Sequence, residues 1–146
     1  MSDAESKYSD VLSQLRLLED QLSDLQSRIQ IVSAQVQEHI GAGVTINSLK
    51  EEHGREALIP IGAQLFVRGS IADTSKVFIG LGAGISVEKT VEHASADLES
   101  RVASMQKILA DLRNDYLKLA DRVSKLRSQL GEAAQRILKG KEKESK

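Results

Sequence analysis

Two heptad repeats, separated by a glycine-rich middle, constrain this chain more than any other feature. Apolar residues recur at alternating steps of three and four near each end. The first set is Tyr8, Val11, Leu15, Leu18, Leu22, Leu25, Ile29, Val32 and Val36. The second set is Leu98, Val102, Met105, Leu109, Leu112, Tyr116, Leu119, Val123, Leu126, Leu130, Ala133 and Ile137. This spacing is typical of the a and d positions of a coiled coil, so the chain is predicted to form an antiparallel helical hairpin.

Breaker residues set the predicted limits of the helices. Eight of the ten glycines, the only proline and both phenylalanines fall within 41–90. Because glycine and proline are unfavourable inside helices, we predict helices over about 5–40 and 91–138. Gly41 is the predicted cap of the first helix, and Gly131 a soft point in the second. The charged segment 139–146 lacks apolar residues and is predicted to be disordered.

The middle segment, 41–90, carries the alternating pattern of β-strands. Runs at 65–71, 77–81 and 85–87 alternate in side-chain character and are rich in β-branched residues. Two earlier runs, 44–49 and 57–61, are further strand candidates, and turns are predicted at 51–54, 73–75 and 82–84. We predict four or five short strands paired as two hairpins, and therefore an α+β fold.

Two isolated hairpins bury too little area to be stable, and their edges offer unpaired backbone groups to other strands. We therefore predict that the hairpins join strands of other subunits in an intersubunit β-barrel. The residues assigned to this assembly are Ile59, Ile61, Leu65, Val67, Ile71, Val77, Ile79, Ile85 and Val87.

Composition argues against several functional classes. The net charge of −1 does not suit nucleic-acid binding, and the lack of cysteine excludes disulfides and cysteine-ligated metals. No apolar run approaches the ~18 residues of a membrane span, so we expect no membrane contact and a cytoplasmic setting. The spacing of the three histidines fits no metal motif, and the glycines at 80–84 fit a hairpin turn better than a dinucleotide loop. We expect no catalytic residue, metal or cofactor.

The middle segment also carries a family resemblance. The runs 57–63, 66–69, 77–84 and 87–90 resemble, in order and spacing, those of archaeal-type prefoldin alpha subunits. The resemblance covers almost the whole chain and implies a hexamer of two alpha and four beta subunits, with a double β-barrel carrying six coiled-coil arms. It further implies an ATP-independent chaperone that holds unfolded proteins at the arm tips and delivers them to a group II chaperonin.

The pairing of the two helices bears on how such tips would work. If residues whose numbers sum to 134 face each other, His39 meets Ser95 in a polar layer, and Ile137 and Leu138 lack partners. Registers summing to 127 or 141 satisfy the same pattern. The off-interface residues Leu12, Leu17 and Leu138 would then add exposed apolar atoms near the tip. The predicted client-binding residues are Tyr8, Val11, Leu12, Leu15, Leu130, Ile137 and Leu138.

Other interpretations remain at this stage. The residues alone slightly favour ordinary frayed helix ends with single exposed leucines, whereas the resemblance favours a client site. A structural tether or scaffold, which binds particular folded partners, is the main alternative to a chaperone. A tRNA-binding arm is disfavoured, because such arms join their helices by short turns and no synthetase core follows. Capture of several unrelated denatured proteins would separate chaperone from scaffold.

Overall fold

The computed structural model describes residues 2–145, which form two long helices and four strands. In chain order these are α1 (Asp3–Leu49), β1 (Glu56–Gly62), β2 (Leu65–Ser70), β3 (Lys76–Gly82), β4 (Ile85–Thr90) and α2 (Val91–Glu144). The predicted α+β fold class is confirmed. The chain divides into two compact units. We call residues 2–33 with 107–145 the helical unit, and residues 34–106 the mixed unit.

The helical unit has a core built from a and d residues of both helices. Leu15, Leu18 and Val123 are buried at its centre. Further leucines pack against them: Leu22, Leu119, Leu126 and Leu130. Each fully buried side chain of this size contributes about 1.5–3 kcal/mol of stability. These are residues of the heptad pattern, so the pattern identified the side chains that hold the helices together.

The helices pair in the register whose numbers sum to 141. Leu18 and Val123 satisfy that sum and share the same core cluster. Leu130 packs on this cluster as well, whereas the 134 register would set it opposite Ala4, about three helical turns away. The 134 register is therefore wrong by one heptad. A periodic pattern is unchanged by a seven-residue shift, so it left this choice open.

This register shortens the predicted overhang of α2 and gives Ile137 a facing residue. Ile137 is aligned with Ala4 and is half-buried, while Leu138 remains exposed. It also alters the predicted polar layer in the mixed unit. Ser95 donates a hydrogen bond to Oδ1 of Asn47 at 3.2 Å, and His39 instead places Nδ1 2.8 Å from a carbonyl oxygen of its own helix.

α1 continues nine residues past its predicted end, so the cap at Gly41 and the strand over 44–49 are wrong. The heptad pattern itself continues through the glycines, with Gly43 and Ile46 at the next a and d positions. Val36, Val91 and Ala94 are buried in the same unit. Tertiary packing thus outweighs the cost of about 1 kcal/mol that each glycine imposes on a helix.

α2 is also longer than predicted. It extends to Glu144 and passes Gly131 without a break, so the predicted interruption is absent and residues 139–144 are helical rather than disordered. Lys146, part of the same prediction, lies outside the described residues. Lysine and glutamate are good helix formers, and Lys141 and Lys143 in the last turn suit the negative end of the helix dipole.

The four strands form two separate antiparallel hairpins, as predicted. β1 pairs with β2, and β3 pairs with β4. Both hairpins share one plan, because the register shifts by one residue before the turn in each, at Gly62 and at Gly82. The turn residues have positive φ: Ala63, Gln64, Ala83 and Gly84. Positive φ at both central residues matches the twist of the strands.

The helical state of Gly41 predicts that Gly41→Ala stabilises the chain. A Cβ at this position would meet no atom within 4 Å, and alanine should raise the free energy of unfolding by about 0.5–1 kcal/mol. Gly54→Ala is the matched control. Gly54 also has open space but a φ of 75°, so alanine there should destabilise by about 1 kcal/mol. Thermal unfolding followed by circular dichroism measures both, and destabilisation by Gly41→Ala would restore the predicted helix end.

The register predicts which engineered cysteines can cross-link. The chain has no native cysteine, so the variant Leu18→Cys/Val123→Cys should form one intramolecular disulfide on mild oxidation. Val11→Cys/Val123→Cys, which fits the 134 register, should not, because one heptad displaces the side chains by about 10 Å. Intact mass under non-reducing conditions distinguishes them, and the reverse result would refute the register.

Candidate functional site

The strands of the mixed unit leave their apolar side chains uncovered. All seven buried residues among those described lie on the helices, and no strand side chain is buried. Ten of the seventeen large apolar side chains that are exposed lie on the strands: Leu58, Ile59, Ile61, Leu65, Phe66, Val67, Phe78, Leu81, Ile85 and Val87. We call these ten residues the hairpin surface. Its area is available to another chain, which makes it the first candidate site.

Both faces of each hairpin contribute to this surface. On one face Ile59 lies opposite Val67, and Ile79 lies opposite Val87. On the other face Phe66 is 57% exposed and Phe78 is 76% exposed. Each hairpin therefore has exposed apolar side chains on both of its faces.

The sequence identified one of these faces. Of the residues assigned to assembly, Ile59, Ile61, Leu65, Val67, Ile85 and Val87 are exposed, whereas Ile71, Val77 and Ile79 are half-buried. Four residues of the hairpin surface were missed: Leu58, Phe66, Phe78 and Leu81. The signal was present, because Leu58, Phe66 and Phe78 occupy the phase of the strand alternation that a half-exposed sheet would fill with polar residues. Leu81 lies in the same phase as Val77 and Ile79, which were assigned to assembly.

One ion pair joins the second hairpin to α2 within the mixed unit, and another joins the residue after α1 to α2. Lys89 at the end of β4 pairs with Asp97 of α2, and Nζ of Lys50 lies 2.6 Å from Oε1 of Glu92. The hydrogen bond from Lys89 lowers the pKa of Asp97 below its ordinary value, and the hydrogen bond from Lys50 does the same to the pKa of Glu92. The Lys89–Asp97 pair holds the end of β4 against α2.

The second candidate site is the tip, defined here as residues 2–17 and 126–145 of the helical unit. Leu15 is only 6% exposed, so it belongs to the core and is inaccessible to a client while the helices stay paired. Leu17 and Leu138 are the exposed large apolar side chains of the tip, at 60% and 62%. The remaining predicted client-binding residues are half-buried: Tyr8, Val11, Leu12, Leu130 and Ile137.

Among residues 2–145, the candidate sites contain no recognisable metal-binding cluster and no nucleotide-binding glycine loop. Across residues 2–145, no group of three or more histidine, cysteine, aspartate or glutamate side chains could hold a metal ion. The glycines at 82 and 84 lie at the β3–β4 turn, as predicted. Within the same described range, no helix has a stretch both long and apolar enough to cross a bilayer.

The sequence matches the family model for prefoldin subunits over residues 9–136. The chain belongs to the prefoldin family. The prefoldin subunit alpha of Methanobrevibacter smithii is 26% identical over 135 residues, covering 92% of this chain and 90% of its own length. That of Methanosarcina barkeri is 33% identical over 102 residues, covering 67% of this chain and 71% of its own. These relatives place the chain with the archaeal-type alpha subunits, as the sequence resemblance indicated.

A solved prefoldin shares the fold. The structure described as filamentous PFD from Methanocaldococcus jannaschii superposes with a TM-score of 0.67, at 21% identity, over 83% of this chain and 98% of that one. Prefoldins are a family of non-enzymatic chaperones, and this prefoldin has the family's long helices and strand hairpins. The uncovered strands lie within the residues that match the family model.

The ion pairs of this prefoldin predict a loss of stability in acid. Asp97 and Glu92 have pKa values in the folded chain below their ordinary values of 3.8 and 4.5. Their contribution is therefore complete above those ordinary values and is lost as the pH falls through the folded-state pKa values. Asp97→Asn should lower the unfolding temperature at neutral pH and flatten its decline below about pH 4. Asp111→Asn, at an exposed position of α2, is the charge-matched control, and an equal effect of both variants would contradict the assignment.

Proposed function

We propose that this prefoldin is the alpha subunit of an ATP-independent holdase, a hexamer of two alpha and four beta subunits in the cytoplasm. The observation that carries the proposal is the uncovered hairpin surface. Ten large apolar side chains on four strands, none of them buried, need a partner before the hairpins are stable. Strands from beta subunits would supply that cover and satisfy the open strand edges.

The strand edges explain why the partner should be another strand. Each hairpin is a separate two-stranded sheet with two open edges, and backbone donors and acceptors along an edge are satisfied best by a further strand. The bulges at Gly62 and Gly82 increase the local twist of each hairpin. Twisted strands joined edge to edge close readily into a barrel, so the proposal places an intersubunit β-barrel at the hairpin surface.

The tip is the proposed site for unfolded clients, which the hexamer would then pass to a group II chaperonin. Leu17 and Leu138 offer exposed apolar atoms there, and the half-buried residues around them would add contact area if the last turns opened. Contacts of this kind are individually weak, but several arms acting together raise the affinity for one client. Weak contacts at several points suit a protein that must accept many sequences.

Ile59→Ser should prevent assembly, because it removes an exposed apolar side chain from the centre of the proposed barrel. Native mass spectrometry of the chain mixed with a beta-class subunit from the same organism should show the hexamer for the wild type and little for the variant. Arg68→Ser is the control on the neighbouring strand. Its side chain is 82% exposed, and its 3.6 Å ion pair with Glu56 is worth little. Undiminished hexamer with Ile59→Ser would contradict the proposed surface.

Client holding needs a separate assay of the assembled protein. The hexamer should suppress aggregation of several unrelated proteins diluted from denaturant, without added nucleotide. Binding to one folded protein only would favour the tether or scaffold interpretation instead. A stable monomer or homodimer that ignores the beta subunit would refute the hexamer while leaving the family assignment intact.

A further inference from the structure

The two hairpins repeat one another with their charges reversed. Each residue of the first hairpin corresponds to the residue 20 positions later in the second, because the two ladders have the same register. In the first hairpin, Nε of Arg68 on β2 lies 3.6 Å from Oε1 of Glu56 on β1. In the second, Nζ of Lys76 on β3 lies 3.7 Å from Oε1 of Glu88 on β4. The repeat therefore keeps the ion pair and exchanges its two ends.

The backbone of each hairpin determines which residues face its outer edge. In an antiparallel ladder, pairs that exchange hydrogen bonds alternate with pairs whose amide and carbonyl groups point away from the partner strand. The amide of Ile71 donates to the carbonyl oxygen of Arg55 at 3.1 Å, and the amide of Val91 donates to that of Ser75 at 3.0 Å. The odd-numbered residues of β2 and β4 thus bond within their hairpins, and the backbone groups of the even-numbered residues point outward.

The outer edge of β2 is better suited to accept a strand than the outer edge of β1. Pro60 is an even-numbered residue of β1, so it lies where an outward amide would donate to a neighbouring strand, and proline has no amide hydrogen. The outward residues of β2 all keep their amides: Phe66, Arg68 and Ser70. The first hairpin therefore offers its complete edge at β2, with Arg68 at the centre.

The charge at the centre of each edge distinguishes one partner strand from another. An antiparallel strand that overlaps β2 fully brings the middle outward residues of the two edges opposite each other. Two β2 strands would oppose Arg68 to Arg68, and two β4 strands would oppose Glu88 to Glu88. Among fully overlapping antiparallel combinations of the four strands, β2 against β4 is the one that sets unlike charges opposite each other. Such pairs stabilise a sheet, whereas like charges directly opposite destabilise it.

We propose that β2 of one copy of this prefoldin pairs antiparallel with β4 of a second copy, with Arg68 opposite Glu88. The pairing rests on the proposed assembly through strand edges and adds to it which edge joins which. The two strands belong to separate sheets within one chain, so the partner strand comes from another copy. On one face of the resulting four-stranded sheet the charges alternate in sign, in the order Lys76, Glu88, Arg68 and Glu56.

An engineered disulfide tests the pairing and its register, because the chain has no cysteine. In the proposed register Ser70 lies opposite Ser86 of the other copy, and both are exposed. Chains carrying Ser70→Cys are mixed with chains carrying Ser86→Cys and assembled with the beta-class subunit, so this bond can only join two alpha chains. Mild oxidation and peptide mass mapping should find it. Ser70→Cys mixed with Thr90→Cys is the matched control and should not bond, because four residues displace the side chains by about 13 Å.

Charge reversal tests whether the ion pair selects the edge. Glu56→Lys/Arg68→Glu reverses the first hairpin, and Lys76→Glu/Glu88→Arg reverses the second. Each variant keeps an ion pair within its hairpin, so both should fold. Either reversal alone opposes like charges and should lower the disulfide yield about fivefold at limiting concentration, whereas both reversals in one chain should restore it to within about twofold. Arg68→Ser removes one exposed charge without creating repulsion, so it should cost little.

The remaining outcomes separate the pairing from the proposed function. A hexamer that forms without the disulfide would assign the edge of β2 to a beta-class strand and overturn the pairing. Equal yields from the disulfide pair and its control, or a combined reversal that stays weak, would overturn the register or the charge selection. A disulfide in the chain alone, with no hexamer when the beta-class subunit is added, would support the pairing and refute the proposed function.

Discussion

Interlocking of apolar a and d side chains between α1 and α2 is the interaction on which the rest of the structure depends. Every buried residue described in the chain lies on these helices, and the central cluster of the helical unit is formed by Leu15, Leu18 and Val123. The same interaction carries α1 through Gly41 and Gly43. Without this packing, neither helix would have a buried face. Each would then be only marginally stable, as isolated helices in water are.

Because the buried apolar side chains described in this chain all lie on the two helices, its strands have no core of their own. The two hairpins repeat one plan, with the same register shift and the same positive-φ turn, yet neither covers the other within one sheet. Two-stranded sheets are marginally stable alone, so the hairpins depend on contacts beyond their own strands.

In the helical unit, charged residues are distributed unevenly between two exposed rows of α2. Within this unit, charged residues fill the c positions of α2 from Asp111 to Lys139, and the b positions from Ala110 to Leu138 have none, although both rows are exposed to solvent. Stability of the helix pair does not require this difference, because both rows lie outside the a/d core.

The sequence by itself determined the heptad core, the two hairpins with their turns, and the family. These follow from local periodicity and from turn residues whose backbone needs are strict, as at Gly82 and Gly84. The tertiary structure decided the helix limits and the register. Gly41 resembles a cap until Val91 and Ala94 are seen buried in the same unit, and a heptad repeat reads the same after a shift of seven. Only the contacts between distant segments distinguish such alternatives, because each segment alone satisfies them equally well.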